Sequence, residues 1–264
     1  MNRTTSLKLA AALLLAGQSL PDPAVAQVFG PAQEDPVISF GVAVDVASRY
    51  VWRGLQVSDE TNVQPAGWLG WGPFEIGTWG SHDLEGNFHE QDFWITYYMP
   101  ADRAGLLGIT VHDYYVSSDF GNDFFDLGGV RSCVEGEPAY GVPARCVGGP
   151  HRTEVVGSFI SASAPVDLLL AYNFHNDPEN ALYGQASLRP SLAGFDLAFT
   201  VGGVFGRSLL YYRTDAAAVT NLTAGIGRSI VGLPFELPLS LELVHNPHLD
   251  ETYYMARAGV YLQR

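Results

Sequence analysis

Lysine is almost missing from this chain: Lys8 is the only one in 264 residues, and the 14 basic residues face 28 acidic ones, for a formal net charge of −14. So acidic a chain offers no basic stripe for phosphates, which excludes nucleic acid as a partner. Cysteine occurs twice, at Cys133 and Cys146. Two thiols without paired histidines are too few ligands for a structural zinc, and no metal site is expected. No G-x-S-x-G elbow is present and no serine is tied by spacing to a histidine, so no hydrolase site is expected, and no cofactor either. Beyond the N-terminal segment no run is long and apolar enough for a transmembrane helix, and no helical period competes with period two over any comparable window.

What is present begins with an export signal. Arg3 and Lys8 precede an apolar stretch from Leu9 to Gly17, and Ala24-Val25-Ala26 supplies small residues at the A-x-A spacing. This predicts a signal peptide over 1–26, cleaved after Ala26. Its removal leaves 12 basic residues against 27 acidic ones, a charge of −15 with arginine as the only strong base. Residues 27–36 read as a short lead. In an exported chain the cysteines, close together in one Gly/Pro-rich segment, are expected to form a disulfide.

The dominant signal is alternation. In "PFELPLSLELVHN" (234–246), Phe235, Leu237, Leu239, Leu241 and Leu243 take every odd position, with Glu236, Pro238, Ser240 and Glu242 between them. Period two makes a strand with one oily and one wet face. The pattern itself allows leucines pointing into a soluble core or out into lipid. Twelve such strands are predicted, near 37–49, 61–71, 74–82, 89–99, 105–115, 152–163, 166–175, 180–189, 194–205, 217–229, 234–245 and 251–262. Most have the roughly 9–11 residues that a tilted strand needs to cross a bilayer. Pro238 cannot donate to a ladder, so a bulge or kink is expected there.

The connections decide between the two readings. Short ones (72–73, 100–104, 164–165, 190–193, 231–234) alternate with longer ones (50–60, 83–88, 116–151, 176–179, 206–217, 245–251). A soluble sandwich has no reason to sort its loops by parity, whereas a membrane barrel has tight turns at one rim and loops at the other. The expectation is all-β: a transmembrane antiparallel up-and-down barrel of about 12 strands over 37–264, with a long external loop at 116–151.

"SRYVWRGLQVSDETNVQPAGW" and "FEIGTWGSHDLEGNFHEQDFWITYY" then add a resemblance. Tyr50, Arg53 and Gly54, followed by Gln64-Pro65, by Gly77, Trp79, Gly80 and Ser81, and by Glu90 and Asp92, resemble the TorF-type family of proteobacterial porins. "HDYYVSSDF" (112–120) is similar to that family's next aromatic strand end, and the resemblance covers about 45–120. The segment holding Cys133 and Cys146 departs from it. The resemblance implies an outer-membrane barrel.

The functional expectation is a porin-like channel in the cell outer membrane for passive diffusion of small hydrophilic solutes, preferring cations. Outer-membrane lipid and lipopolysaccharide would be its surroundings and small polar solutes its cargo. Candidate pore-lining residues are Asp45, Arg53, Glu75, Glu90, Asp92, Glu154, Asp196, Glu236, Glu242, Arg189 and Arg257. Arg53 is read with Glu90 and Asp92 as a charge cluster, selective or merely architectural. Trp52, Trp68, Trp71, Tyr97, Tyr98, Tyr253 and Tyr254 lie at or near strand ends, as an interfacial girdle requires. "DFGNDFFDLGG" (119–129) lacks the spacing and the closing glutamate of a calcium loop and reads as a solvated acidic loop. The alternatives are a non-conducting structural or surface-interaction barrel, an outer-membrane hydrolase and a secreted soluble β protein.

Overall fold

The structure, a computed structural model, describes residues 38–117, 123–128, 132–134, 145–147, 150–230 and 235–263. The signal-peptide and lead segments lie outside them. Along the chain run β1 (Ile38–Ala47), β2 (Tyr50–Trp52), β3 (Leu55–Ser58), β4 (Asn62–Trp71), β5 (Phe74–Asp83), β6 (His89–Ala101), β7 (Gly105–Val116), β8 (Ser132–Val134) and β9 (Arg145–Val147). They continue as β10 (His151–Ser161), β11 (Val166–His175), β12 (Leu182–Leu188), β13 (Ser191–Leu192), β14 (Phe195–Val204), β15 (Ala218–Ile230), β16 (Leu237–Asn246) and β17 (Glu251–Gln263).

Twelve of these form the wall: β1, β4, β5, β6, β7, β10, β11, β12, β14, β15, β16 and β17. Each pairs antiparallel with the next. β1 pairs with both β4 and β17, and β12 with β14, so the ring closes. The wall strands match the twelve read from alternation, their ends differing by a few residues at most. Closure satisfies backbone donors and acceptors without water, and in lipid only a closed sheet can do that.

Burial shows which face looks outward. Ile38, Phe40, Val42, Val44 and Val46 are exposed, whereas the intervening Ala43 and Asp45 are buried. In β16, Leu239, Leu241 and Leu243 are exposed and Glu242 is 4% exposed. An oily exterior around a charged interior is the inverse of a soluble protein and is the face pattern of a membrane barrel. No helix among the described residues is long and apolar enough to cross a membrane.

No register shift marks Pro238 on either side of its strand. The β16–β17 ladder stops at Leu239↔Ala258 and resumes, in the same register, at the bridge Glu236↔Tyr261. The missing donor is absorbed by a lapse in pairing rather than by a bulge. The girdle expectation is also corrected. Trp71, Tyr97 and Tyr254 point outward, whereas Trp52, Trp68 and Tyr253 are buried. Trp68 covers the bare backbone of Gly41, its register partner, where an added Cβ would lie 2.0 Å from the indole. Trp94 covers Gly77 in the same way. These inward rings fill space that a narrow barrel would otherwise leave open.

Candidate functional site: an inward hairpin across the lumen

β2 and β3 belong to the connection expected to lie outside, yet they fold inward. Trp52 pairs with Leu55 across a two-residue turn, Arg53-Gly54. Both turn residues have positive φ, 49° and 87°. Paired positive φ values characterise the tight hairpin turn whose twist matches that of its strands. Glycine takes this conformation freely, whereas an arginine there costs roughly 1–2 kcal/mol. The surrounding contacts must hold it in place.

Those contacts reach several walls of the barrel. Arg53 donates from Nη1 to Glu154 Oε2 at 3.0 Å and from Nη2 to Glu154 Oε1 at 2.7 Å, a bidentate pair onto β10. Its Nη1 also donates to the Tyr212 hydroxyl at 2.7 Å. The guanidinium lies over the Trp52 and Tyr183 rings, 4.6 and 4.7 Å from their centroids. Tyr114 of β7 donates its hydroxyl to Glu154 Oε1 at 2.5 Å. At the tip, Asn246 of β16 donates to the Gly54 carbonyl at 3.1 Å. Trp52 stacks on Tyr212 at 5.3 Å, and Tyr212 on Tyr183 at 5.2 Å. Tyr212 comes from the connection 205–217, so a second long loop also sends a ring inside. Arg53 and Glu154 are 5% and 0% exposed, a fully desolvated pair.

Gly54 is the tightest point. A Cβ there would lie 1.8 Å from the Thr220 carbonyl oxygen, which is rigid backbone. Gly54→Ala is therefore expected to expel the hairpin tip as well as strain its turn, by at least about 1–2 kcal/mol. Thermal unfolding followed by tryptophan fluorescence, with the Trp52 contribution taken from the difference to a Trp52→Phe variant, checks this; an unchanged midpoint and spectrum would contradict the inward placement.

The other candidate residues are distributed over the inner wall. Asp45, Glu75, Glu90, Asp92 and Glu242 are buried on it. Trp94 donates to Glu75 at 3.0 Å, and Tyr261 donates to Asp45 at 3.1 Å. Asp92 lies 3.1 Å from His112 Nε2, and the carboxylate that Arg53 grips is Glu154. Arg189 pairs with Asp167 at 2.7 Å. Arg257 is half-buried between Asp45 and Glu242, and Glu236 is half-buried beside Tyr261. Asp196 differs: it is exposed at a short turn, where it accepts from Ser191 at 2.7 Å. Cys133 and Cys146 occupy facing positions of the β8–β9 ribbon, and their side chains lie outside the described residues. At the long-loop rim the Glu60 carboxyl is raised from its ordinary pKa, by Glu85 first, then by desolvation, Asp59 and Asp83. In the acidic loop, Asp123 and Asp126 accept from the amides of Phe125 and Gly128, each at 3.0 Å, closing local turns.

No family model and no curated protein matches the chain. Among solved structures the KdgM porin is similar to it at 7% identity, over 84% of this chain and 97% of that one, with a TM-score of 0.46. The KdgM porin in complex with disordered oligogalacturonate matches at 7% identity over 85% and 97%, with a TM-score of 0.44. The COG4313 outer membrane channel from Pseudomonas putida F1 matches at 13% identity over 88% and 97%, with a TM-score of 0.38. The resemblance to TorF-type porins thus rests on its motif residues alone.

Sequence reading missed the inner hairpin and its partner ring Tyr212. A signal was available: Arg53-Gly54 between "YVW" and "LQV" is a two-residue turn flanked by β-forming residues.

Proposed function

We propose that this chain is a porin-like channel of the outer membrane, with the short turns in the periplasm and the long loops outside. It passes small hydrophilic solutes, and the inner hairpin forms its constriction. The observation that carries this reading is the inverted wall: a closed barrel with its apolar face outward and its carboxylates inward.

The same interior supports a preference for cations. Asp45, Glu75, Glu90, Asp92, Glu154, Asp167 and Glu242 are buried on the inner wall. Among the described residues they outnumber the inward arginines Arg49, Arg53, Arg152, Arg189 and Arg257. In a narrow lumen such an excess is focused rather than screened. The purified protein in a planar bilayer under a salt gradient is expected to show a reversal potential favouring cations; one favouring chloride overturns the charge argument. The aromatic and ionic packing around Arg53 favours a second reading, a barrel that does not conduct at rest. Absence of conductance in the wild type would select it.

The cysteines are proposed to be bridged and external, since they face each other in the longest outer connection. Whole cells should take up a membrane-impermeant thiol reagent at Cys133 and Cys146 only after mild reduction. Labelling without reduction contradicts the bridge.

A further inference from the structure

His82, near the end of β5, and His89, the first residue of β6, are direct register partners at the long-loop rim. The side chains lie on the outer face: Ser81 and Glu90 beside them are buried inward, and His89 is exposed. Their Nδ1 atoms are 3.3 Å apart.

That separation has chemical meaning. A zinc-type ion binds imidazole nitrogen at about 2.0–2.1 Å, so two nitrogens at a tetrahedral angle sit roughly 3.3–3.4 Å apart. The two Nδ1 atoms are already at that span. A hydrogen bond between neutral rings engages the lone pair of only one Nδ1. A metal ion engages both, with each ring proton on Nε2.

The scaffold is rigid. The connection beyond the pair is closed by Asp83, whose Oδ1 accepts from the Asn87 amide at 2.9 Å and whose carbonyl accepts from the Gly86 amide at 3.3 Å. The Asp83 amide in turn donates to the Phe88 carbonyl at 3.2 Å. Two adjacent wall strands and this tight connection fix the backbone positions of both histidines before any ion arrives, which favours a site of few ligands.

We infer that His82 and His89 form a surface site for a divalent transition-metal ion, with both Nδ1 atoms as ligands and water or rim anions completing the shell. The tetrahedral span fits zinc, and Cu2+, which binds imidazole tightest in the general order of divalent affinities, serves as its spectroscopic probe. The site is independent of conduction, because it lies on the outside of the wall.

Tag-free, detergent-folded protein titrated with Cu2+ and followed by electron paramagnetic resonance tests this. The wild type should bind one equivalent with splitting from two nitrogens. His82→Ala and His89→Ala should each lose one nitrogen and bind roughly tenfold or more weakly. His245→Ala removes an outer-rim histidine whose Nδ1 faces Thr252 at 3.0 Å, and should change nothing. His82→Gln and His89→Gln are measured in parallel, with gel migration before and after heating to confirm folding. Wild-type spectra in either the alanine or the glutamine variants would overturn the site, as would the absence of a stoichiometric two-nitrogen signal in the wild type.

Discussion

Glu154→Ala should release the inner hairpin from the lumen. Arg53, which lies over Trp52 and Tyr183 at 5% exposure, would lose both carboxylate hydrogen bonds, and the ring contacts alone would have to hold its charge in the lumen. Removing one partner of a buried ion pair costs about 3–5 kcal/mol, because the remaining charge is stranded in a desolvated site. Tyr114 would lose its acceptor at the same time. The hairpin has an alternative that the wall lacks: it joins β1 to β4 without pairing to the barrel sheet, so it can leave the lumen while the ring stays closed. The expected result is larger single-channel conductance with retained barrel assembly. Asp92→Ala serves as the comparison, since its partner is His112 on the wall and the Arg53 clamp stays intact. Equal conductance in wild type, Glu154→Ala and Asp92→Ala would show that the hairpin does not set the passage.

Leu241→Arg should strongly impair membrane assembly, whereas Leu241→Ala should be tolerated. Leu241 is 61% exposed in the middle of β16. On a soluble surface, replacing an exposed leucine by arginine stays within about 0.5 kcal/mol. On a lipid face an arginine at the bilayer midplane costs about 2–4 kcal/mol. Folding yield into vesicles, read from gel migration before and after heating, separates the two cases. Equal yields for the arginine and alanine variants would mean that the exposed leucines do not meet lipid.

The twelve wall strands were legible because a wall strand repeats one local rule. Each inward position answers to its own two neighbours, so alternation in "LPLSLELVHN" or "ISFGVAVDVA" carries the whole assignment. The sorting of connection lengths supplied the direction of the faces, since tight turns and long loops collect at opposite rims. The sequence by itself thus determined the barrel, its strand number and its outward apolar face. The interior was a different matter. That Arg53 meets Glu154, 101 residues away, and Asn246 caps Gly54 across 192 residues follows from ring closure, which brings remote strands to face one lumen. The same closure sent Trp52 and Tyr212 inward, although residues 50–60 and 206–217 look like ordinary outer loops. Pro238 belongs to this class too: its missing hydrogen bond is absorbed by its particular neighbour β17, and no local pattern reveals how. Periodicity fixes which face of each strand is wet, but only the closed ring decides which groups share the enclosed space and must pair there.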